Sequence, residues 1–583
     1  MNSRSPYRMT LAAFAASFVV AALVTWPTII TPSSGLLGHP GNDIWNHVWG
    51  FWWFLDGIAN RGGIPFQTNL LNYPTGGTLY FIDGFNALVS VPLQALFGLA
   101  SAYNLVIIGC VAWSVFGGWM LAHHVLRDAV PAAVAAIIYG CSPHLLGQTY
   151  NGITETINVG WLALYALALL RLIERPRLER GVILGLALAM TALSNFYYGL
   201  FGVVLSLVIV LHQGITDFRR VHWPRFIGFT LVGAAVFSAL VLPVLGKLNE
   251  TLSAEDAMVK RTGGEDEFVW YSLLNHNITD VVSFFRPGTV YSPDLKAQYG
   301  EDLLIVIYLG WAVIALAAAA FALHKRRREL SLWVWIFVVF WVFALGPYLH
   351  VGGEYLVVTD AQRKIPLPFL PFFKAVPLFS RISHPFRFVV GATMGLAMLA
   401  GFGVRVLLRR YPRPVRFVGG GAIAAVVLGE ILLFSPAVWP IPRADAGVPA
   451  AYGELTEAGA VLDLPITVPN LERGVYTYYQ TAHRRPSPYG LNDPLPRSLR
   501  ANRLTRFMVT LESGHVITLP RILPDLELVM GAELLKAEGY RYIVVHENLY
   551  TSPKRAMVET VLTAIVGPPR KYPGDGISLY ELK

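Results

Sequence analysis

Cysteine is almost absent from this sequence of 583 residues, which contains only two. Both, Cys110 and Cys141, lie inside apolar segments, so the chain supports neither a disulfide framework nor a cysteine-based zinc site. Charged residues are also scarce, at 14% of the chain, whereas 54% of the residues are hydrophobic and the mean hydropathy is +0.49. An ordinary soluble domain carries about 25% charged residues. The composition therefore excludes a typical soluble protein and predicts a polytopic membrane protein.

The net charge of +9 does not indicate a nucleic-acid partner. The basic residues collect in short loops between apolar runs, which is the pattern that orients membrane helices. The chain also has no internal repeat and no low-complexity tract. The expected partner is therefore the lipid bilayer, and no nucleic acid is expected.

The apolar runs predict an α-helical polytopic protein with about eleven transmembrane helices. The first run, Leu11–Ile30, has about the 20 residues that a crossing needs and lacks a clear small-x-small cleavage site, so it predicts a retained helix. The other predicted spans, in chain order, are Tyr103–Leu121, Ala129–Leu146, Ile157–Leu170, Val182–Leu193, Phe196–Leu211, Phe226–Leu245, Leu303–Leu323, Leu332–Leu349, Phe388–Leu408 and Phe417–Phe434.

Loop charge decides the topology where hydropathy is ambiguous. Phe85–Ala100 is apolar but short, and counting it as a span would place the basic run Lys325–Arg328 outside, so a helix in the membrane interface is predicted. Val182–Leu211 is too long for one crossing and is predicted to be a hairpin bent at Ser194–Gly199. All basic loops but one then face the cytoplasm. We expect the inner (cytoplasmic) membrane, a cytoplasmic N-terminus and an extracytoplasmic C-terminus.

Two domains are predicted from the change in composition near residue 440. Residues 1–439 form the transmembrane domain, with outer loops at 31–101, 147–156, 247–302 and 350–385. Residues 440–583 read as a soluble extracytoplasmic α/β domain, large enough for its own core. Its predicted strands and helices are Val461–Pro465, Tyr542–His546 and Ile577–Leu582, and Asp525–Glu538 and Pro553–Ile565.

One stretch of the first outer loop, Gly41–Trp53, combines an acid with a tryptophan-rich helix. Asp43 and His47 are four residues apart and would share one helical face. Four tryptophans predict an aromatic surface typical of the membrane–water boundary. A carboxylate at that depth is costly unless it has a task or a partner. We therefore interpret Asp43 as the reactive carboxylate of a membrane-embedded transferase.

Further candidate residues lie on the same predicted face of the membrane. The loops contribute Asp83, Asn151 and Glu155 in the first half of the chain, and Arg381, His384 and Arg387 in the basic fourth loop. Carboxylates can deprotonate an acceptor hydroxyl as it attacks an anomeric carbon. Arginines can hold and neutralise a departing phosphate. A sugar carried on a lipid phosphate is the substrate that this set of residues suits.

Simpler structural roles stay open for most of these residues. Asp43 could cap the helix that follows it, and Asp83 and Glu155 could be acids favoured by a helix dipole. His47 could only pack at the interface, and Arg387 could extend from its helix end towards water.

With these features the chain resembles the GT-C superfamily of integral-membrane glycosyltransferases. The resemblance is carried by the acid after the first span (Gly41–Asp43), the second acidic loop (Asn151–Glu155), the Pro-x-Arg-Phe element (Pro385–Phe388) and the outer C-terminal domain. It implies a polyprenyl-phosphate-linked sugar donor, with Asp43 as the base, Glu155 as a second site acid, and Arg381 or Arg387 on the lipid phosphate. His384, Asp83, His47 and Asn151 are the further substrate-binding candidates.

Metal use and the acceptor stay open. Oligosaccharyltransferases carry an acid-x-acid pair in the second loop that helps to bind a divalent metal, whereas this chain offers Glu155 between Thr154 and Thr156. No cofactor is certain, and Mg²⁺ or Mn²⁺ stays a possibility. The acceptor could be a glycan, a lipid or a protein. The competing interpretations are a transporter or flippase for lipid-linked glycans, a non-catalytic assembly protein, and a lipid-linked polymerase or ligase.

Overall fold

The computed structural model describes residues 5–64, 66–258, 265–287, 303–358, 363–377, 379–491, 495–514 and 524–583. Long helices dominate the first 434 residues. In chain order they are α1 (Ser5–Val24), α2 (Ile44–Asn60), α3 (Gly84–Phe97), α4 (Leu99–Leu126), α5 (Ala129–Gly140), α6 (Pro143–Asn151), α7 (Gly160–Glu174), α8 (Leu178–Ser194), α9 (Phe196–Thr216), α10 (Trp223–Ser253), α11 (Glu265–Tyr271), α12 (Trp311–Leu323), α13 (Arg327–Ala344), α14 (Phe369–Ala375), α15 (Val389–Leu408) and α16 (Arg413–Phe434).

Short helices and hairpins connect these elements. The 3₁₀ helices are Thr154–Thr156, Phe218–Arg220, Val281–Phe284, Phe379–Arg381 and Pro385–Phe388, and Ser272–His276 is a π-helix turn. The two-stranded pairs are β1 (Gly35–Leu37) with β8 (Arg443–Asp445), β2 (Gln67–Thr68) with β3 (Gly77–Thr78), β4 (His350–Val351) with β5 (Glu354–Tyr355), and β6 (Val357–Val358) with β7 (Arg363–Lys364).

The chain is a multi-pass membrane protein. Among the described residues, eight helical stretches are long and apolar enough to cross a bilayer. The shorter or more charged helices α8, α12 and α13 occupy the positions of the remaining predicted spans. Helix α15 is at the centre, because 94% of the residues in its most apolar stretch are buried. Helix α10, in contrast, is exposed over most of its length. Helix α3 has 14 residues and is therefore about 21 Å long, too short to cross, as expected for an interfacial segment.

Two predicted spans differ from the observed helices. The first helix ends at Val24 rather than at residue 30, because Pro27 disfavours helical backbone in the residue before it. The predicted span Leu303–Leu323 is helical only from Trp311. Its first residues run extended because their backbone binds side chains of α6: the Asn151 amide pairs with Leu304, and His144 binds the Val306 carbonyl.

Glu430, inside α16, has a structural role. Its carboxylate accepts hydrogen bonds from the backbone N–H groups of Trp311 (2.6 Å) and Ala312 (2.8 Å) at the start of α12. Tyr308 donates a further bond of 2.5 Å. The carboxylate therefore satisfies the free donors of a helix end inside the membrane region.

The C-terminal part contains a four-stranded mixed sheet. Its order is β11 (Arg570–Tyr572), β12 (Ile577–Glu581), β10 (Tyr540–His546) and β9 (Ala460–Leu464), with β9 and β10 parallel and the other pairs antiparallel. The helices are α17 (Asn470–Arg473), α18 (Val475–His483), α19 (Arg497–Ala501), α20 (Arg503–Glu512), α21 (Leu526–Ala537) and α22 (Ser552–Val566), with 3₁₀ turns at Ala450–Glu454 and Glu547–Leu549. The three predicted strands and both predicted helices are confirmed.

The tryptophan-rich helix α2 is not an interfacial surface, and that expectation was wrong. Its four tryptophans are between 0% and 7% exposed. The indole of Trp49 donates to Gln480 Oε1 (2.8 Å), and Gln480 Nε2 donates to the carbonyl of Leu70 (2.6 Å). Trp45 packs against the ring of Tyr478. The aromatic side chains thus attach the first outer loop to α18 of the C-terminal part.

The predicted loops differ at their edges. The second loop, 147–156, begins as about the last one and a half turns of α6, and the third, 247–302, begins as about the last two turns of α10. Residues 259–264 and 288–302 of that third loop lie outside the described residues.

Candidate active site

Close packing at Gly50 brings the segment before α3 onto α2. A Cβ atom at Gly50 would lie 2.0 Å from Cζ of Phe81, so only glycine lets the Phe81 ring rest directly on the helix. Phe81 also contacts the ring of His47, with centroids 6.1 Å apart. Asp83, two residues further along the chain, is the N-cap of α3. The sequence of this loop therefore positions Asp83 beside His47.

A second close contact brings the end of α6 onto the start of α2. Gly152 ends α6 with φ +73, a backbone conformation that favours glycine, and a Cβ there would lie 2.1 Å from Cγ2 of Ile44. The Asp43 N–H donates to the Asn151 carbonyl (3.2 Å) across the same contact. The chain then enters the 3₁₀ turn Thr154–Thr156, which places Thr154 and Glu155 over the first turns of α2.

Three titratable side chains meet at this point, two from the first outer loop and one from the second. His47 Nε2 lies 3.5 Å from Glu155 Oε2, and His47 Nδ1 lies 3.6 Å from Asp83 Oδ2. His47 Nδ1 also lies 2.9 Å from the Thr154 hydroxyl, which donates to Asp83. The three titratable residues are between 0% and 5% exposed. We call His47, Asp83 and Glu155 the acid–histidine cluster.

The cluster changes the protonation of its histidine. Burial by itself lowers the pKa of His47, but the charge of Glu155, the hydrogen bond with Asp83 and the nearby Asp83 and Asp43 charges raise it to about 9. Without a bound cation, His47 therefore carries a proton at pH 7. The proton balances part of the negative charge that two buried carboxylates bring together.

Asp43 lies next to the cluster and its side chain does not cap α2. The residue precedes the helix and is half-buried, yet its carboxylate makes no cap hydrogen bond with the helix backbone. It accepts instead from the Asn46 side-chain amide (3.0 Å). Helix capping therefore does not account for the charge of Asp43, whose field reaches His47.

Asp83 combines a structural and a site position. One oxygen caps α3 by accepting from the Asn86 N–H (3.4 Å), and the other accepts from Thr154 and from the Asn86 side chain (3.1 Å). Asp83 was expected to be an acid favoured by the helix dipole; it is the N-cap of α3, and the same carboxylate belongs to the cluster.

Arg387 faces the cluster from the opposite wall. It lies in the 3₁₀ turn before α15, is buried, and places its guanidinium carbon 5.0 Å from the centroid of the Tyr197 ring. Its Nε has no hydrogen-bond partner. Its charge acts on Glu155 and on His144, whose Nε2 is also buried without a partner. A buried arginine with an unused donor is suited to an anionic ligand.

The other members of the basic loop lie further out. His384 is half-buried, and its Nδ1 lies 2.7 Å from the hydroxyl of Ser383. The same hydroxyl lies 3.1 Å from the hydroxyl of Tyr197. Arg381 is exposed. The structure thus groups Arg387 with the cluster and leaves Arg381 at the surface.

Asn151 is used for positioning. Its amide bonds to the backbone of Leu304 in both directions (2.8 Å each) and accepts from Asn42 (3.1 Å). A substrate-binding role for Asn151 stays a prediction. Sequence reasoning missed Thr154, which bridges His47 and Asp83, and Tyr197, which supports Arg387. The available signal was position in the sequence: Thr154 is adjacent to the candidate Glu155, and Tyr197 lies in the predicted bend at 194–199.

The cluster has the donor set of a divalent-cation site. One imidazole nitrogen and two carboxylate oxygens lie within 4.8 Å of one another. Glu155 Oε2 is buried and lacks a hydrogen-bond partner. The Thr154 hydroxyl orients His47 through Nδ1, which leaves Nε2 towards Glu155. Nitrogen and oxygen donors of this kind fit Mg²⁺, Mn²⁺ or Zn²⁺.

Comparison with known proteins identifies a family and a fold. Residues 13–377 match the model of a family described as Domain of unknown function (DUF6311). No match was found among curated protein sequences.

Three solved structures share the architecture. The apo Archaeoglobus fulgidus oligosaccharyltransferase is 13% identical with a TM-score of 0.52, over 96% of this chain and 72% of that chain. ArnT from Cupriavidus metallidurans in the apo state is 14% identical with a TM-score of 0.50, over 98% of each chain. A mutant of the mycobacterial arabinofuranosyltransferase AftD is 13% identical with a TM-score of 0.53, over 99% of this chain and 41% of that chain. All three are GT-C glycosyltransferases. At these identities the likeness establishes the fold. Because the family model covers more than half of its length, the chain belongs to the DUF6311 family, and it has the GT-C fold.

Proposed function

We propose that this protein is a membrane glycosyltransferase that moves a sugar from a polyprenyl-phosphate or polyprenyl-diphosphate donor to an acceptor outside the cytoplasm. One observation carries the proposal. A buried acid–histidine cluster, built from two loops, adjoins Asp43, whose carboxylate does not cap its helix. The cluster also faces the buried guanidinium of Arg387. The GT-C fold, shared with enzymes that transfer sugars, supports it.

Asp43 is the base of the proposed reaction. It takes the proton of the acceptor hydroxyl while that oxygen bonds to the anomeric carbon of the sugar. The bond between the anomeric carbon and the phosphate oxygen breaks, and the lipid phosphate leaves with the electron pair. Asp43 is half-buried, whereas the cluster is closed, so of these acids Asp43 is the one open to an acceptor.

Arg387 holds the leaving phosphate. Its guanidinium is fixed by the Tyr197 ring, and its unused Nε can donate to a phosphate oxygen. His384 and the exposed Arg381 extend the same positive wall towards the surface. The charges of both Arg387 and His47 act on Glu155, so this carboxylate attracts the guanidinium towards the cluster.

His47, Asp83 and Glu155 would hold a divalent cation if the enzyme uses one. When bound, such an ion neutralises negative charge on the donor phosphate. The three donors and the unpartnered Glu155 oxygen fit this assignment. Mg²⁺ and Mn²⁺ are the proposed ions.

The protein belongs in the inner membrane with its N-terminus in the cytoplasm. The charge bias of the basic loops supports this orientation, since they alternate with the loops that carry the cluster. Residues 1–439 then form the transmembrane domain, and residues 440–583 form an extracytoplasmic α/β domain that assists acceptor recognition. The hydrogen bond between Trp49 and Gln480 supports this contribution, because it ties α18 to the helix that carries Asp43 and His47.

The test is sugar transfer in proteoliposomes with a panel of labelled polyprenyl-phosphate sugars. Asp43→Asn keeps the shape of the side chain and removes its basicity, and donor hydrolysis and transfer should both fall at least 100-fold, within the range that general bases contribute, roughly 10²–10⁴. Asp217→Asn is the control, since Asp217 is half-buried like Asp43 and pairs with Arg220 and Arg328 after α9, away from the cluster. Unchanged activity in Asp43→Asn would move the base elsewhere. No activity with any donor would favour a transporter or an assembly protein.

A further inference from the structure

A polar cleft lies beside the first outer loop, apart from the acid–histidine cluster. It has a volume of about 450 Å³ and continues into a second hollow of about 350 Å³, which shares Gln67 and Asp256 with it. The walls come from the β2–β3 hairpin and from the last turns of α10. The lining residues are Arg61, Phe66, Gln67, Thr68, Asn69, Gly77, Thr78, Lys247, Glu250, Thr251, Ala254 and Asp256.

The cleft lies at the water side of the membrane. From Trp223, α10 rises about 36 Å to Lys247, which exceeds the roughly 30 Å of hydrocarbon that a span must cross. Lys247 and Glu250 therefore lie beyond the apolar layer, and the hairpin packs on them. A water-soluble ligand has direct access to this position.

The charges of the cleft are balanced. Lys247 Nζ pairs with Glu250 Oε1 at 2.7 Å, and Arg61 Nε pairs with Asp56 Oδ2 at 3.1 Å. Among the described residues of the walls, the two cations Arg61 and Lys247 are matched in number by the two acids Glu250 and Asp256. An anionic ligand such as a phosphate would find no surplus positive charge here, which favours a neutral polar ligand.

The hydrogen-bonding groups of the cleft suit a polyol. Gln67, Asn69 and Asp256 are exposed, and each planar end presents two polar atoms to neighbouring hydroxyls. The Thr78 hydroxyl donates to Asp256 Oδ1 at 2.7 Å, which fixes that carboxylate in the wall. The planar amides of Gln67 and Asn69 on the hairpin, together with the Asp256 carboxylate after α10, can distinguish the spacing and orientation of sugar hydroxyls.

The hairpin connects the cleft to the reaction centre. Thr78 bonds to the backbone of Asp256 and Met258, and the chain reaches Asp83 five residues later. Five residues span at most about 17 Å, which is the length of a short oligosaccharide. The Thr78 side of the cleft therefore lies within about 17 Å of Asp83, a distance that an oligosaccharide can bridge.

We infer that this cleft binds a neutral carbohydrate and acts as the outer part of the acceptor site, an assignment that rests on the proposed glycosyl transfer. The acceptor is then a glycan of several sugars, held away from the reaction centre by Gln67, Asn69 and Asp256.

Binding without any donor tests the inference independently of transfer. The full chain in nanodiscs is titrated with chitotetraose, maltotetraose and mannotetraose, and with an anionic heparin tetrasaccharide, by saturation-transfer NMR. We expect at least one neutral oligosaccharide to bind wild type and Asp43→Asn equally. Ala254→Trp fills the cleft and should weaken binding at least tenfold, and Gln67→Ala about fivefold. Ala458→Trp adds the same ring at an exposed position outside the cleft and should leave binding unchanged.

Each other result overturns the inference. These are no binding by any neutral oligosaccharide, binding that survives both Ala254→Trp and Gln67→Ala, or a preference for the anionic tetrasaccharide. Gln67 is exposed, so its variant tests the site even if Ala254→Trp does not fold. Carbohydrate binding without transfer would reject the proposed function and with it the acceptor role, but would leave the carbohydrate site itself standing. Transfer without cleft binding would reject this inference alone.

Discussion

His47 Nε2 lies 3.5 Å from Glu155 Oε2, although the two residues come from different loops of the membrane region. The contact is buried, and Asp83 approaches the other ring nitrogen to 3.6 Å. This relationship defines the reaction centre better than Asp43 alone, because two independent close contacts, at Gly50 and Gly152, are needed to form it. Four predictions follow from the cluster and its surroundings.

Removing the charge of Glu155 should abolish transfer while leaving the fold intact. We expect Glu155→Gln to lower the transfer rate by about 100-fold or more, since it leaves His47 with one carboxylate and alters the orientation of Arg387. The rate is measured in proteoliposomes with a labelled polyprenyl-phosphate sugar. Glu174→Gln at the other end of the following helix is the matched control. Equal rates in both variants would contradict a site role for Glu155.

Cation binding should strengthen as the pH rises towards 9. The pKa of His47 is raised to about 9, so at pH 7 the imidazole holds a proton that a metal ion must displace. The Mn²⁺ affinity of the purified protein should rise up to about tenfold per pH unit between pH 7 and pH 9 and level off above, as one released proton requires. Titration followed by electron paramagnetic resonance measures it. His47→Gln should lose the slope, whereas a constant wild-type affinity between pH 7 and pH 8.5 would argue against His47 as a ligand.

Arg387 should govern donor binding more than Arg381 does. A hydrogen bond to a charged group contributes about 1.5–3 kcal/mol, so Arg387→Ala should raise the KM for the donor about 10- to 100-fold. Arg387→Lys keeps the charge but loses the planar contact with Tyr197 and should rescue only part of the loss. Arg381→Ala should change KM little, because the side chain is exposed. Arg409→Ala serves as the control, because Arg409 lies just beyond the opposite end of α15, the helix that follows Arg387. A larger effect at Arg381 than at Arg387 would reverse the assignment.

A methyl group at Gly50 should disturb the site through Phe81. Gly50→Ala forces the Phe81 ring away from α2, and overpacking of this kind costs about 1–3 kcal/mol of stability. Thermal unfolding in detergent should shift downwards, and transfer should fall because Asp83 moves with the segment. Gly109→Ala meets open space and should be neutral. The double variant Gly50→Ala with Phe81→Leu should regain stability. If it does not, contact with Phe81 is not the cause.

Much of the architecture could be predicted because hydrophobic runs specify helices locally. A predicted helix boundary was wrong where side chains distant in the sequence bind the backbone. The segment before Trp311 is apolar enough to be helical, but Asn151 and His144 bind its backbone and hold it extended. The tryptophans of α2 were assigned to the membrane boundary because composition does not reveal that α18 covers them.

The candidate acids could be selected from the sequence, since each follows or precedes an apolar run on the same predicted face. Their grouping could not. His47 was expected to share a face with Asp43, yet its closest charged partners are Asp83 and Glu155. The family resemblance offered Arg381 or Arg387 for the lipid phosphate, and only the packing shows that Arg387 is buried against Tyr197 whereas Arg381 is exposed.

The order of residues was sufficient to predict a multi-pass helical protein with an α/β C-terminal part and with the candidate polar residues in loops on one face. These properties follow from local hydropathy and charge, which act along the chain. The tertiary structure alone decided that His47, Asp83 and Glu155 meet, that Asp43 does not cap its helix, and that a neutral cleft lies one hairpin away. Those outcomes depend on contacts of a few ångströms between distant segments, which the order of residues does not specify.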